Sequence, residues 1–289
     1  MPEIPARVWC LTPNPVLETK ISRGRTVVSA GGKGHNVARQ LRRWKVSAVS
    51  VTAQTGVDWL RAARRDRVPI RQIPIQASAR KGWALLEKAG ERLDFFTQDP
   101  IWKKQDWSRC ETFLCRNIRK GDWLVVAGST PRGAPFGWWR LLFLGLKKKG
   151  AQMLVDGKGR ILREALQAGV NWAKANLDEA EETTGQRGPE RCLRSLETLS
   201  RGRSGLLITL GSRGLVLRKG KTKLAVPAPK IQCRDATGSG DVVTSAWVFG
   251  ILRGWEMEKV AEFAVWAGSE KAAQRGMVVK RLKGRGVPA

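Results

Sequence analysis

Short apolar runs alternate with longer amphipathic stretches over most of the chain, and the two patterns have different periods. Residues 123–127 and 205–209 are continuous apolar runs of strand length, as expected of strands buried on both faces. Residues 36–44 and 159–168 repeat their apolar positions with helical spacing. Regular alternation of strand and helix favours an α/β fold with a largely parallel central sheet, covered by helices on both faces.

The same pattern predicts where the elements lie. We expect strands at residues 7–11, 46–51, 123–127, 152–155, 172–175 and 205–209, with a hairpin partner for the last strand at 215–217. We expect helices at residues 36–44, 137–149, 159–168, 177–184, 239–252 and 258–273. Asn176 is the expected N-cap of the helix that starts at residue 177.

Residues 69–100 depart from this alternation of strands and helices. They contain three short runs with strand character at 70–75, 82–87 and 92–97, and a Lys-Ala-Gly turn at 88–90. Such a series of short strands predicts a small β flap over the binding edge of the sheet.

Composition limits the classes of protein that this chain can be. With 289 residues, of which 42% are apolar, it is long enough for an α/β domain with a substantial core. No run of about 18 apolar residues is present, which argues against a transmembrane helix. The N-terminal residues lack the pattern of a signal peptide. We therefore expect a cytoplasmic protein with no membrane partner.

The cysteines and the single histidine restrict the available chemistry. Five cysteines are present and no C-x-x-C spacing occurs, so neither a disulfide framework nor a cysteine zinc site is expected. His35 is the only histidine, which excludes His-rich metal sites and most Ser/His or Cys/His catalysis. We expect His35 to be a structural or a surface residue, and acid–base chemistry is left to Asp, Glu and Lys.

The net charge of +28 is extreme for a chain of this length. Its 53 Lys and Arg residues are spread along the whole sequence, and they occur together with 13 Trp and no Tyr. This joint bias is typical of genome-wide codon drift as much as of a selected surface. We expect weak, salt-sensitive binding to polyanions, and a dedicated nucleic-acid partner is the minority interpretation.

The motif DATGSGD at residues 235–241 directly precedes a predicted helix. Gly238 and Gly240 allow a tight turn whose backbone N–H groups converge beside the positive end of that helix. Such a turn can hold a phosphoryl group, and the Asp241 carboxylate can accept the proton of an attacking alcohol. An ordinary glycine-rich turn is an equally good interpretation of this motif taken alone.

The motif GGKGHN at residues 31–36 also precedes a helix, but it lacks the G-x-x-x-x-G-K-[ST] spacing of a Walker loop. Asn36 can bond sugar hydroxyls, and Lys33 can meet a substrate phosphate. A flexible turn is the simpler alternative for this motif.

Two weaker motifs follow strands further along the chain. KANLDE at 174–179 places Asn176 and Glu179 three residues apart at a helix start. This pair can hold Mg²⁺ through water beside nucleotide phosphates, or it can simply cap the helix. TLGSRG at 209–214 fits either a loop close to a nucleotide or a plain hairpin turn.

The order of these motifs resembles that of the ribokinase-like, PfkB-type carbohydrate kinases, especially the branch of 1-phosphofructokinases and tagatose-6-phosphate kinases. The resemblance covers residues 8–276. LTPNP at 11–15 resembles the branch's T-x-N-P, and GGKGHNVAR at 31–39 matches G-G-K-G-x-N-V-A-R. GSTPRG at 128–133, NLDE at 176–179 and DATGSGD at 235–241 are similar to G-S-x-P-x-G, N-x-x-E and D/N-T-x-G-A-G-D.

The resemblance implies a fold, an activity and an assembly. The fold would be a ribokinase-like three-layer sandwich, one domain over residues 1–289, with a β lid formed by about 14–30 and 70–98. The activity would be ATP-dependent phosphorylation of a ketohexose phosphate with Mg²⁺, by direct in-line transfer to an alcohol. The assembly would be a homodimer that pairs through the lid.

The resemblance also implies roles for individual residues, which carry over by their places in the motifs. Asp241 would be the catalytic base, with an anion hole formed by Gly238, Ser239 and Gly240. The sugar phosphate would be bound by Asn14, Glu18, Gly32, Lys33, Asn36 and Arg80. The nucleotide would be bound by Lys174, Asn176, Thr209, Gly211 and Gly214, with Glu179 holding Mg²⁺ through water.

Several positions depart from the branch's pattern, most of them in the sugar pocket. Glu18 stands where Asp is usual, and Gly82 and Ala84 stand where Asn and Lys often follow the flap arginine. Ala175 replaces a usual Pro. Two alternatives therefore stay open: a catalytically weakened kinase fold that binds polyanions or nucleic acid, and a kinase for an unphosphorylated sugar or a nucleoside.

Overall fold

The computed structural model describes residues 6–22, 25–76, 79–86, 92–274, 276 and 278–279, in which strands and helices alternate. The strands are β1 (Val8–Thr12), β2 (Val16–Ser22), β3 (Arg25–Gly31), β4 (Ala48–Gln54), β5 (Ile70–Gln76), β6 (Arg80–Leu86), β7 (Arg92–Phe96), β8 (Trp123–Ala127), β9 (Gln152–Asp156), β10 (Trp172–Asn176), β11 (Gly205–Thr209), β12 (Leu215–Lys219) and β13 (Thr222–Val226). The helices are α1 (Lys33–Arg43), α2 (Val57–Arg64), α3 (Lys104–Asn117), α4 (Trp138–Lys148), α5 (Arg160–Ala168), α6 (Leu177–Thr184), α7 (Pro189–Ser200), α8 (Ser239–Leu252) and α9 (Met257–Ala272).

The larger of two sheets has the strand order β13-β12-β11-β10-β9-β8-β1-β4-β5. Neighbouring strands from β11 to β5 pair in parallel, whereas β12 and β13 add an antiparallel hairpin at one edge. The carboxyl ends of the parallel strands therefore lie along one edge of the sheet. Open α/β sheets bind their ligands at this edge.

Both faces of the large sheet are buried under helices. In β8, Leu124 and Val126 pack into a core formed with α3 to α7, and Trp123 and Val125 pack into a second core formed with α1, α8 and α9. This arrangement confirms the predicted α/β architecture, with a mostly parallel sheet between two helical layers. Within the described residues, no helix combines the length and the apolar character needed to cross a membrane.

The second sheet has the strand order β3-β2-β6-β7. Strand β2 follows β1 closely and β3 leads into α1, so this sheet lies at the carboxyl edge of the large one. The prediction of a flap strand at 70–75 is wrong, because β5 pairs with β4 in the large sheet and buries Ile73 and Ile75 in its core. The turn predicted at 88–90 lies outside the described residues.

Candidate active site

The turn before α8 is closed by its own hydrogen bonds. The Asp235 carboxylate accepts a hydrogen bond from Thr237 N over 2.9 Å, and Ser239 N donates to Ala236 O over 3.1 Å. Gly238 has a φ of 77°, in the left-handed region that suits glycine. Ser239 Oγ is buried without a hydrogen-bond partner. The turn thus combines a helix N-terminus with an unpaired hydroxyl, donors suited to phosphoryl oxygens.

Asp241 lies in the first turn of α8 with only 6% of its surface exposed. Asn36 Nδ2 donates a hydrogen bond to Asp241 Oδ2 over 2.7 Å. Burial raises the pKa of the Asp241 carboxyl to about 6, although the Lys33 ammonium acts in the opposite direction. A carboxyl group with this pKa is mostly ionised at neutral pH and is a stronger base than an exposed aspartate.

Asn36 is itself oriented by a chain of polar contacts. Arg39 Nη2 donates to Asn36 Oδ1 over 2.7 Å, which directs the amide nitrogen toward Asp241. Arg39 Nη1 lies 3.3 Å from each Asp66 carboxylate oxygen, and His35 Nε2 lies 2.9 Å from Asp66 Oδ2. Burial lowers the pKa of His35. Of the two places expected for His35, the structure shows a buried one, behind the site.

Asp156, which no motif of the sequence identified, lies beneath the site. It ends β9, is fully buried, and accepts hydrogen bonds from Lys174 Nζ over 2.8 Å and Thr244 Oγ1 over 2.6 Å. Burial would raise the pKa of Asp156, but Lys174 and Lys33 lower it to about 2. An aspartate directly after an apolar strand was the signal available in the sequence.

Lys33 connects this carboxylate to α6. Its Nζ donates to Glu179 Oε1 over 2.8 Å and lies 3.6 Å from Asp156 Oδ1. Burial opposes the charge, but Asp156, Glu179 and Asp241 keep the pKa of Lys33 above its ordinary value. Asn176 and Glu179 also form the capping box of α6, with bonds of 2.8 and 3.0 Å. The predicted sugar-side lysine thus contacts the residue predicted to hold Mg²⁺.

Asn14 and Arg80 meet at Asp99, a second residue that sequence reasoning missed. Arg80 Nη1 donates to Asp99 Oδ1 over 2.6 Å, and Asn14 Nδ2 donates to the same oxygen over 3.2 Å. Asn14 Nδ2 also reaches Ser129 Oγ over 3.1 Å. Arg80 comes from the small sheet and Asn14 from the loop after β1, so this cluster joins the two sheets.

The comparison with known proteins decides the family. The model of the pfkB family carbohydrate kinases matches residues 7–281. The chain belongs to the pfkB family. Among curated proteins, this pfkB chain is 23% identical to ATP-dependent 6-phosphofructokinase isozyme 2 of Escherichia coli K12, over 92% of this chain and 89% of the relative. It is 24% identical to 1-phosphofructokinase of Bacillus subtilis 168, over 84% and 81% of the two chains.

Solved structures show the same fold. Phosphofructokinase-2 from Escherichia coli in complex with fructose-6-phosphate superposes with a TM-score of 0.81 at 22% identity, over 92% of this pfkB chain and 94% of that chain. A possible 1-phosphofructokinase from Thermotoga maritima gives a TM-score of 0.80 at 16% identity, over 94% and 93%. The ribokinase-like fold expected from the motifs is therefore confirmed.

The other predicted site residues of this pfkB chain lie along the same edge of the large sheet, except Glu18, which is in the small sheet. A Cβ atom on Gly32, whose φ is 119°, would lie 2.4 Å from Thr12 Cγ2, so α1 starts in close contact with the end of β1. Thr209 ends β11 beside Asn176, and Gly211 and Gly214 follow it. Glu18 is in β2, in register with Ser29 and Gly82.

Proposed function

We propose that this protein transfers the γ-phosphoryl group of ATP to the primary alcohol of a ketohexose phosphate, with Asp241 as the general base. The observation that carries the proposal is the contact between Asn36 and the Asp241 carboxylate, beside the glycine turn at 238–240. Membership of a carbohydrate kinase family supports the reaction class. The relatives named ATP-dependent 6-phosphofructokinase isozyme 2 and 1-phosphofructokinase support a phosphorylated sugar as the acceptor.

Asp241 performs the proton transfer in this proposal. Its carboxylate accepts the hydroxyl proton as the sugar oxygen bonds to the γ-phosphorus and the bond to the ADP oxygen breaks. The hydrogen bond from Asn36 holds the carboxylate in place. Because burial raises the pKa of Asp241 to about 6, the group is both ionised at pH 7 and basic enough to take the proton.

The turn at 238–240 would stabilise the charge that spreads over the transferring group. Its donors are the backbone amides, the Ser239 hydroxyl and the N-terminus of α8. A Cβ atom on Gly240 would lie 3.6 Å from Lys174 Nζ, so a cation adjoins the turn. These donors are held in position before substrate arrives, which is what makes electrostatic stabilisation effective.

Asp156, and Glu179 through water, are the residues that would bind Mg²⁺. Asp156 Oδ1 is buried without a hydrogen-bond partner, and Lys33 contacts both carboxylates. No group of three His, Cys, Asp or Glu residues converges anywhere in the described residues, which leaves the remaining ligands to water and phosphate oxygens. When bound with ATP, Mg²⁺ neutralises phosphate charge.

Fructose 1-phosphate is the first acceptor that we propose, followed by tagatose 6-phosphate and fructose 6-phosphate. Lys33 and Arg80 favour an anionic sugar. The sugar phosphate would bind Arg80 beside Asp99 or take the place of Asp99 as its partner. The test is a panel of ketohexose phosphates, ribose and adenosine with ATP and Mg²⁺, followed by ADP release. Turnover on a ketohexose phosphate, which Asp241→Asn lowers by about 10²–10⁴-fold, is the expected result.

Other outcomes of the panel would favour the alternatives. Turnover on ribose or adenosine alone would indicate a kinase for an unphosphorylated acceptor. Zero turnover on every acceptor, together with tight and salt-resistant binding of RNA or DNA, would indicate a kinase fold that has become a polyanion-binding protein.

The small sheet would also pair two copies of the chain. Val28, Thr19, Trp83 and Phe95 are register neighbours across its four strands. The exposed fractions of Val28, Trp83 and Phe95 are 41%, 37% and 54%, so they form an apolar row on the surface. Burial of such a row against the same row of a second copy is favourable.

A further inference from the structure

The turn proposed as the anion hole is bonded to the carboxyl end of α9. The backbone N–H groups of Arg234 and Asp235 both donate to Ala272 O, over 2.8 and 3.1 Å. The residue before Ala272 is Lys271, whose Nζ donates to Asp235 O over 3.0 Å and lies 3.9 Å from Asp235 Oδ2. Three contacts of α9 thus hold the residue at which the turn begins.

Lys271 is unusual because its side chain is fully buried. Lysine is almost never fully buried unless its charge is paired, because removing an ammonium group from water is costly. The partner is the Asp235 carboxylate, which lies 3.7 Å from Lys20 of β2 as well. Burial would raise the pKa of Asp235, but Thr237, Lys20 and Lys271 keep it below its ordinary value. Burial lowers the pKa of Lys271 and the Asp235 carboxylate acts in the opposite direction, so the charge of the lysine under the turn depends on Asp235.

We propose that Lys271 is a positioning residue. Its ammonium group holds both the carbonyl and the carboxylate of Asp235 and so sets the shape of the turn at 236–240. The inference rests on the proposed function, because it assigns the turn to the transferring phosphoryl group. None of the steps assigned to Asp241, Lys33 or Lys174 uses Lys271. Lys271 acts on the proposed reacting atoms through Asp235, so its effect on the reaction is indirect.

The chemistry of the position suggests how to separate a charge role from a packing role. A shorter side chain at 271 would leave a cavity bordered by oxygen atoms of Asp235. Ammonium and potassium ions have nearly the charge and size of a lysine head group, so they should enter that cavity. The intact protein should need neither ion, because the lysine already occupies the place.

The experiment compares Lys271→Ala, which opens the cavity, with Lys271→Met, which fills it without a charge. We expect both variants to lose about 10²-fold in kcat, the size of effect caused by a small displacement of catalytic groups. Addition of ammonium or potassium chloride to roughly 0.1 M should raise the kcat of Lys271→Ala about tenfold or more. Choline chloride is the control for ionic strength. The same salts should leave the kcat of Lys271→Met unchanged.

Thermal unfolding in the same salts gives a readout that needs no turnover. Potassium should raise the Tm of Lys271→Ala above its value in choline, and leave Lys271→Met and the unmodified protein unchanged. This result would support the inference even if the substrate panel found no acceptor.

Three results would overturn the role of Lys271. The first is wild-type kcat in Lys271→Ala, and the second is an identical response of the Ala and Met variants to potassium. The third needs no variant. If kcat or Tm of the unmodified protein rises when potassium replaces choline, the position is open to ions. This last measurement decides the question if neither variant folds.

Discussion

Asn36 donates a hydrogen bond to Asp241 over 2.7 Å, although 205 residues separate the two in the chain. Asn36 lies in the first turn of α1 and Asp241 in the first turn of α8. The contact therefore brings the N-termini of two helices together, and their positive ends favour negative charge at one place. The proposed phosphoryl-transfer site is built where these two helices meet the carboxyl edge of the sheet.

Asp241→Asn should lower kcat by about 10²–10⁴-fold, because the amide keeps the shape of the side chain but cannot accept the proton. ATP affinity, measured by calorimetric titration, should persist. The matched control is Asp58→Asn, at a side chain that is 75% exposed in the first turn of α2. A kcat of Asp241→Asn close to that of the unmodified protein would show that Asp241 is not the base.

The pH dependence of kcat/KM should follow the pKa of Asp241, which burial raises to about 6. Below this pH the carboxyl group is protonated and cannot accept a proton, so kcat/KM should rise through pH 6 and then level off. Stability should change in the opposite direction. Because folding raises this pKa, the contribution of Asp241 to the free energy of unfolding is present at low pH and lost as pH rises through about 6.

Urea unfolding of the unmodified protein and Asp241→Asn at pH 5 and pH 7 would check the second half of this prediction. The difference in unfolding free energy between the two proteins should shift in favour of the unmodified protein at the lower pH. A rate profile that stays flat between pH 5 and pH 7 would contradict the assignment.

Arg80→Ala should raise KM for the sugar phosphate about 10- to 100-fold, the cost of losing a charge-assisted hydrogen bond, with much less effect on KM for ATP. The neighbouring exposed residue offers a control, since Lys81→Ala removes a cation from the same strand. Steady-state kinetics with each substrate varied in turn would show the difference. Equal increases in both KM values would place Arg80 outside the sugar site.

Arg39→Ala should lower kcat about tenfold by releasing Asn36, which Arg39 orients through a 2.7 Å hydrogen bond. The same change removes a partner of Asp66, so some stability should also be lost. A double-mutant cycle on kcat with Asn36→Ala separates the two effects, because the kinetic losses should not add if Arg39 acts through Asn36. Additive losses would contradict a positioning role.

Trp83→Glu should convert a dimer into a monomer, since it places a charge in the apolar row that we propose to pair across two copies. Sedimentation velocity at several protein concentrations would measure the change. Lys81→Glu, on the same strand, is the control for added charge. A sedimentation coefficient that Trp83→Glu leaves unchanged would exclude this row as the contact.

The pattern of apolar residues was enough to locate many elements. The strands Trp123–Ala127 and Gly205–Thr209 and the helices Leu177–Thr184 and Ser239–Leu252 have the boundaries that the sequence predicts. These elements are marked by local signals: continuous apolar runs, an Asn cap or a glycine turn. Helix Lys104–Asn117 was not predicted, although Trp107, Cys110 and Leu114 have helical spacing and are buried.

The sequence alone determined the α/β class, the family and the candidate turn at 235–241, because periodicity, capping and glycine turns depend on neighbours in the chain. Only the tertiary structure decided that Ile70–Gln76 joins the large sheet, that Asp156 pairs with Lys174, and that Lys271 lies under the turn. Strand partners, burial and charge pairing depend on segments that are distant in sequence, so no local pattern records them.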